Sequence, residues 1–267
     1  IALDGKVLRG SRQVPYDARS SIMLVTACLT EAGICLATEK ARFDKKDEHE
    51  KDAFEKMVEG LFLKDAIVTI DANGATTKIT NAIEAKGGDW LIGLKKNQRR
   101  LLKVATEGFA HCPAYEEFTT EEKGHGRREK RSYKLLPFSS CDIPSMHQAY
   151  EKQKKKWPGL ECFIRVNAER TVIENGTEKT QLSERFYFAS LKANVSEAAR
   201  AIRSHWAVEN KIHWVLDVAF REDHWRARAL QEAENLGALR RLALNMVRLE
   251  KTFKGGARRK MKKCAMN

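Results

Sequence analysis

The chain has 267 residues, 42% of them hydrophobic, enough to bury a full core as one large domain or two smaller ones. Lys and Arg number 49 against 36 Asp and Glu, so the formal net charge is +13, which favours a polyanionic partner such as nucleic acid over the plainer reading of a protein that happens to be basic. Apolar runs fall short of the ~20 residues of a membrane span and the N-terminus has no leader pattern, so the expectation is a soluble, intracellular chain without a membrane partner.

The opening "IALDGKVLRG" reads as a short apolar strand carrying Asp4. Ile1 already belongs to that strand, which suggests a fragment of a longer chain. "SIMLVTACLT" and "GICLATEKARF", joined by "TEAG", read as an antiparallel hairpin. "KDEHEKDAFEKMVEGLFL" places Phe54, Met57, Val58, Leu61 and Phe62 at helical spacing with acids early, as the macrodipole prefers. "DAIVTID" is a strand ending on Asp71, "ATTKITNAIEAKGG" a helix closed by Gly87 and Gly88, and "DWLIGLK" a strand parallel to the previous one.

From Lys103 the pattern turns to strand-like pieces, "RSYKLLPFS", "LECFIRVNAERTV" and "SERFYFASL", with "ENGTE" as a hairpin turn. "SEAARAIRSHWAVENKIHWVLDVAF", capped by Ser196, then predicts one long helix. "ALQEAENLGALRRLALNMVRLEK" predicts another, with Leu236, Leu239, Ala243 and Met246 on its apolar face. The tail "KGGARRKMKKCAMN" reads as disordered or phosphate-seeking. The six cysteines lack CxxC or zinc-like spacing and read as free thiols, structural or incidental.

The order of elements matches a ribonuclease-H-like α/β fold, a mixed sheet flanked by helices with a β-rich insertion before the last helix. The expected segments are a first part of the core over 1–102, the insertion over 103–192, the C-terminal core helices over 193–250 and a basic tail over 251–267. In that fold the first and fourth strands are neighbours, which would bring Asp4 and Asp71 together.

Two-metal phosphodiester chemistry needs carboxylates from separate elements to hold Mg2+ ions ~3.5–4 Å apart. Asp4 in "ALDGK" and Asp71 in "TIDAN" each end an apolar run and precede small residues, which leaves room for a substrate backbone. Glu209 is the candidate third acid, because His205, Glu209 and His213 recur at i, i+4 as a polar stripe on an apolar helix. Asp217, Glu222 and Asp223 lie near enough to leave that third position open. The ordinary alternatives are an N-cap for Asp71, a turn residue for Asp4 and a salt-bridged acid for Glu209. Zinc is disfavoured by the absence of HExxH. Basic residues after the fifth strand, Lys95, Lys96, Arg99 and Arg100, and the "GHGRREKR" stretch with His125, Arg127, Arg128 and Arg131, are candidate DNA-phosphate contacts or an ordinary solvated surface. Trp206 and Trp214 read first as core aromatics and second as base-stacking groups.

Seven motifs in order, "LDGKVLRGS", "VTIDANG", "GGDWLIGLKKNQ", "EKGHGRREKR", "WPGLECFIRV", "HWAVENKIHWVLDVAFRED" and "ENLGALRRLALN", resemble the H-repeat-associated proteins and the related ISAs-type insertion-sequence transposases, a DDE group. The resemblance runs from Ile1 to about Asn245. It implies a DDE transposase catalytic domain with Asp4, Asp71 and Glu209 as catalytic triad and metal ligands. Mg2+ would be the cofactor, with Mn2+ as a substitute. It further implies cleavage of double-stranded DNA at transposon ends, transfer of the freed 3'-hydroxyl to target DNA, and a homo-oligomer on DNA. The second motif departs from the expected "IDAMG" and Cys-Gln pair by reading "IDANGATT". The rival expectations are a degenerate, catalytically inactive DNA-binding relative and a nuclease without strand transfer.

Overall fold

The computed structural model describes residues 1–12, 21–41, 48–124, 126–174, 177–192, 194–227 and 230–266. It is a mixed α/β structure of mostly antiparallel strands with flanking helices. Two compact units make up the chain, Ile1–Leu63 with Arg203–Asn267, and Lys64–Ile202.

The first unit is built on three antiparallel strands, β1 (Ala2–Leu8), β2 (Ile22–Leu29) and β3 (Ile34–Ala41), paired in the order β3-β2-β1. Gly33, at φ +66°, closes the β2–β3 turn in a conformation that L side chains rarely adopt. Helix α1 (Glu48–Gly60) buries Ala53, Phe54, Met57 and Val58, and its Glu50 lies over Gly5 on one face of β1. The alternate face of β1, the even-numbered side, meets the C-terminal helices. Ala2 packs with Val208, Ile212 and Leu216, while Leu8 packs with Ala227 and Ala233.

The expected long helix over 196–220 is interrupted. Helix α5 (Val195–His205) is followed by a π-helical turn over Val208–His213 and by the short α6 (Trp214–Val218). Asn194 rather than Ser196 caps α5, its side-chain oxygen accepting from the Glu197 N–H at 3.1 Å. Helix α7 (Leu230–Leu249) turns a different face inward from the one predicted. Ala233, Gly237, Arg241 and Leu244 are buried, whereas Leu239 and Met246 are 59% and 65% exposed. The reason is close approach: a Cβ on Gly237 would meet Leu24 Cδ1 at 2.3 Å, so α7 rests on β2 along its small-residue side. The basic tail forms α8 (Ala257–Met266), which buries no side chain and is tied back where Lys260 Nζ donates to the Val247 carbonyl at 3.0 Å.

The second unit carries β4 (Ile67–Ile70), α2 (Thr77–Ala85) and β5 (Asp89–Leu94), with β4 and β5 parallel as the strand-helix-strand pattern predicts. Thr76 caps α2, and Gly87 at φ +72° ends it as its N–H and that of Gly88 bond back to Glu84 and Ile83. The sheet then grows outward in the order β4-β5-β9-β8-β7-β6, through β6 (Glu116–Gly124), β7 (Arg127–Pro137), β8 (Cys162–Glu174) and β9 (Thr177–Ala189). Two helices that the strand-like pattern concealed, α3 (Arg99–His111) and α4 (Pro144–Lys156), lie among these strands in sequence. The turn of the β8–β9 hairpin lies outside the described residues. Cys112 and Cys141 are disulfide-bonded, which corrects the free-thiol reading for that pair; Cys28, Cys35, Cys162 and Cys264 are free.

Candidate active site

Asp4 and Lys6 sit two residues apart on the even face of β1, and the helical segments opposite present ligands in step with them. Two strand residues advance ~6.6 Å and four helical residues ~6 Å, so a strand and a helix laid together can keep such a register. Asp4 Oδ2 lies 3.5 Å from His213 Nδ1, which lies 3.1 Å from Glu209 Oε2. Four residues on from His213, Asp217 Oδ1 lies 2.8 Å from Lys6 Nζ.

One ligand atom from each of Asp4, Glu209 and His213 falls within 4.8 Å of the others, a spacing that can hold a metal ion. Glu209 is well exposed, Asp4 half-buried and His213 buried. Burial pushes the His213 imidazole below its ordinary pKa, against the pull of the Glu209 hydrogen bond and charge; Arg241 and Lys6 push it the same way as burial. His213 therefore favours the neutral form. His205, the third member of the sequence stripe, is not part of this group among the described residues. The π-helical turn follows His205 and carries both Glu209 and His213, and turns of this kind recur where a helix is reshaped around a site.

Asp217, Glu222 and Asp223, the other acids considered for the third position, are occupied by buried cations. Lys6 Nζ lies 2.8, 3.5 and 3.0 Å from Asp217, Glu222 and Asp223. Burial alone would lower the Lys6 pKa, but the hydrogen bonds to Asp217 and Asp223 and the charge of Glu222 outweigh it, so the ammonium is held above its usual value. Arg241, 1% exposed, donates to Glu222 Oε1 at 2.8 Å, Thr26 Oγ1 at 2.9 Å and the Gly237 carbonyl at 3.0 Å. This network fastens β1 and β2 to α7 and to the turn at Glu222. Lys6 is absent from the sequence-predicted site, yet its place at i+2 from Asp4 was the available signal.

In the second unit Asp71 follows β4 and precedes a 3-10 turn over Ala72–Gly74 without capping it through its side chain. Lys95 Nζ donates to both Asp71 oxygens, at 2.9 and 3.0 Å, and Asn97 Nδ2 donates to the Ala72 carbonyl at 2.8 Å. "LKKNQ" thus positions the acid-bearing turn. Lys96, Arg99 and Arg100 are exposed around the start of α3, whose first turn contains no acid. Arg127 and Arg128 are exposed on β7, with Arg128 lying 3.4 Å from Glu121. Arg131 is buried and paired with Glu129 and Glu122, while His125 lies outside the described residues. Trp206 and Trp214 are 46% and 59% exposed, which overturns their reading as core aromatics.

The family model described as "Transposase DDE domain" matches residues 1–246. The chain belongs to the DDE transposase family. It is 34% identical to "Putative protein YbfL" and to "H repeat-associated putative transposase YhhI", both from Escherichia coli strain K12, in each case over 100% of this chain and 68% of the relative. It is 33% identical to "Putative transposase YncI" of Escherichia coli O157:H7, over 100% of this chain and 66% of the relative. The matched region of this DDE-family chain takes in Asp4, Asp71 and Glu209. Among the described residues no helix is long and apolar enough to cross a membrane.

Proposed function

We propose that the chain is the catalytic domain of a DNA transposase of ribonuclease-H-like arrangement, carrying out metal-dependent cleavage and strand transfer with Asp4, Asp71 and Glu209 as the acids. The observation that carries this reading is the convergence of Asp4 and Glu209, from elements some two hundred residues apart in sequence, on one cluster with metal-ligand spacing in a DDE-family chain. Their oxygen donors suit a hard divalent cation such as Mg2+, with Mn2+ as a substitute.

Bound there, such ions supply Lewis-acid charge neutralisation at the reacting phosphodiester. The chain's own residues do the rest. Asp4 and Glu209 would hold the cation from β1 and the π-helical turn, and the Lys6–Arg241 network keeps β1 in register with that helix. Asp71, at the end of β4, is the remaining acid that the family resemblance implies. Lys95, paired with Asp71, holds a positive charge beside that acid where a phosphate could be met. Lys96, Arg99 and Arg100 crowd positive charge at the start of α3, where the macrodipole disfavours cations and favours anions, an arrangement that suits a DNA backbone. Arg127 and Arg128 offer further phosphate contacts, and Arg131 supports β7. The DNA partners are transposon ends and target, bound by a homo-oligomer in the cytoplasm at the nucleoid.

The test is incubation of the chain with Mg2+ or Mn2+ and a duplex carrying candidate element ends. Cleavage followed by joining to target DNA is expected. Binding without cleavage would leave an inactive DNA-binding relative, and cleavage without joining a nuclease. An Asp71→Asn variant that cuts as fast as wild type would sink the assignment of the acids.

A further inference from the structure

We propose that His213 is a nitrogen ligand of the cation held by Asp4 and Glu209, which gives the site a preference for a first-row transition ion such as Mn2+ over Mg2+. This rests on the metal-binding reading of the two acids and puts Mn2+ ahead of the Mg2+ that oxygen donors alone would suit.

Two of the three donor spacings are close to those of a shared ion. Two donors on one octahedral ion, with bonds of ~2.1–2.2 Å at right angles, lie ~3 Å apart. His213 Nδ1 stands 3.1 Å from Glu209 Oε2 and 3.5 Å from Asp4 Oδ2, close to such edges. The imidazole is 4% exposed, so it is held by packing and is not a surface group passing near two acids. Ile212 and Leu216, on either side of it in sequence, are fully buried in the cluster that contains Ala2 of β1, which fixes the helix against the strand bearing Asp4.

Two carboxylates carry a charge that a divalent ion balances. A mixed nitrogen and oxygen set also discriminates: Mg2+ takes oxygen ligands and keeps its waters, whereas first-row transition ions accept imidazole readily. The alternative role for Nδ1 is to donate a hydrogen bond to the carboxylates, and in that role no nitrogen touches the ion.

Pulsed electron paramagnetic resonance of the full chain loaded with Mn2+ separates these roles. Nitrogen hyperfine modulation is expected in the wild type and should change pattern when the protein is made with heavy-nitrogen-labelled histidine, without any substitution that could perturb folding. In competition titrations Mg2+ should displace Mn2+ only at roughly tenfold excess or more, the scale on which ligand-shell changes act on metal affinity. His213→Gln should lose the modulation and bring the two affinities together. Mn2+ binding that disappears in Asp4→Asn but shows no histidine nitrogen in the wild type overturns the His213 assignment alone. Failure of the wild type to bind Mn2+ overturns the metal reading of the acids and this inference with it.

Discussion

Asp4 and Asp71 look alike in sequence, each following a run of apolar residues and preceding a small one, but they have different charged neighbours. Asp4 faces a second carboxylate, Glu209, and the buried imidazole of His213. Asp71 is held on both oxygens by Lys95. Under the proposed function the first cluster would gain by taking up a cation, since nearby carboxylates repel and a divalent ion turns that repulsion into attraction. The second already has its counterion, and that ion pair is exposed on both sides.

The sharpest way to break the contrast is to remove the buried charge that supports the Asp4 strand. Arg241→Met leaves Glu222 fully buried without its guanidinium partner, and loss of one member of a buried pair costs about 3–5 kcal/mol, which chemical denaturation measures. Next in size is the effect of the ion itself. At a hundredfold excess over its dissociation constant, a cation that binds only the folded chain stabilises it by about 2.7 kcal/mol. The melting temperature of the wild type should therefore rise with Mn2+, and Asp4→Asn should abolish that rise. Lys95→Gln, by contrast, removes an exposed pair and should cost no more than about 1 kcal/mol in the same assay.

The smallest effect concerns the thiols beneath the first unit's sheet. Burial pushes Cys28 up to about 12 and Cys35 up to about 11, so both stay protonated at pH 8, and Cys264 is exposed to solvent. A disulfide-exchange reagent at pH 8 should modify Cys264 and spare the other two. Because the unfolded thiols ionise from their ordinary value of 9.0, their contribution to stability is complete below that pH and is lost as pH rises toward about 11 and 12. Labelling of Cys28 in the native chain at the rate of Cys264 would contradict this burial.

Much of the scaffold was legible because its signals are local. The hairpin with Gly33, the strand-helix-strand unit ending at Gly87 and Gly88, and the amphipathic α1 each follow from turn chemistry or apolar period. The site was legible only in part. Asp4 and Glu209 were picked out as acids, and the structure brings them together with His213, but the choice between Glu209 and Asp217, Glu222 or Asp223 could not be made from spacing. The structure adds that Asp217, Glu222 and Asp223 pair with Lys6 and Arg241, which reach them across the fold. Strand β6, written "EEFTTEEKG", was hidden by its charge, because it is stabilised by pairing with β7 more than by any apolar face of its own. Helix α3 was concealed by the basic run that opens it, although Leu101, Val104, Ala105, Gly108 and Phe109 keep helical spacing.

By itself the sequence determined the DDE-family character of the chain, its basic charge, the elements with strong local period and the acids worth testing, since these depend on residue identity and short-range order. Only the tertiary structure decided the π-helical turn around Glu209, the inward face of α7 and the partners of each acid. Those are set by packing against β1 and β2, where a side chain at Gly237 has no room and a charge at Lys6 or Arg241 must find its counterion because water is excluded.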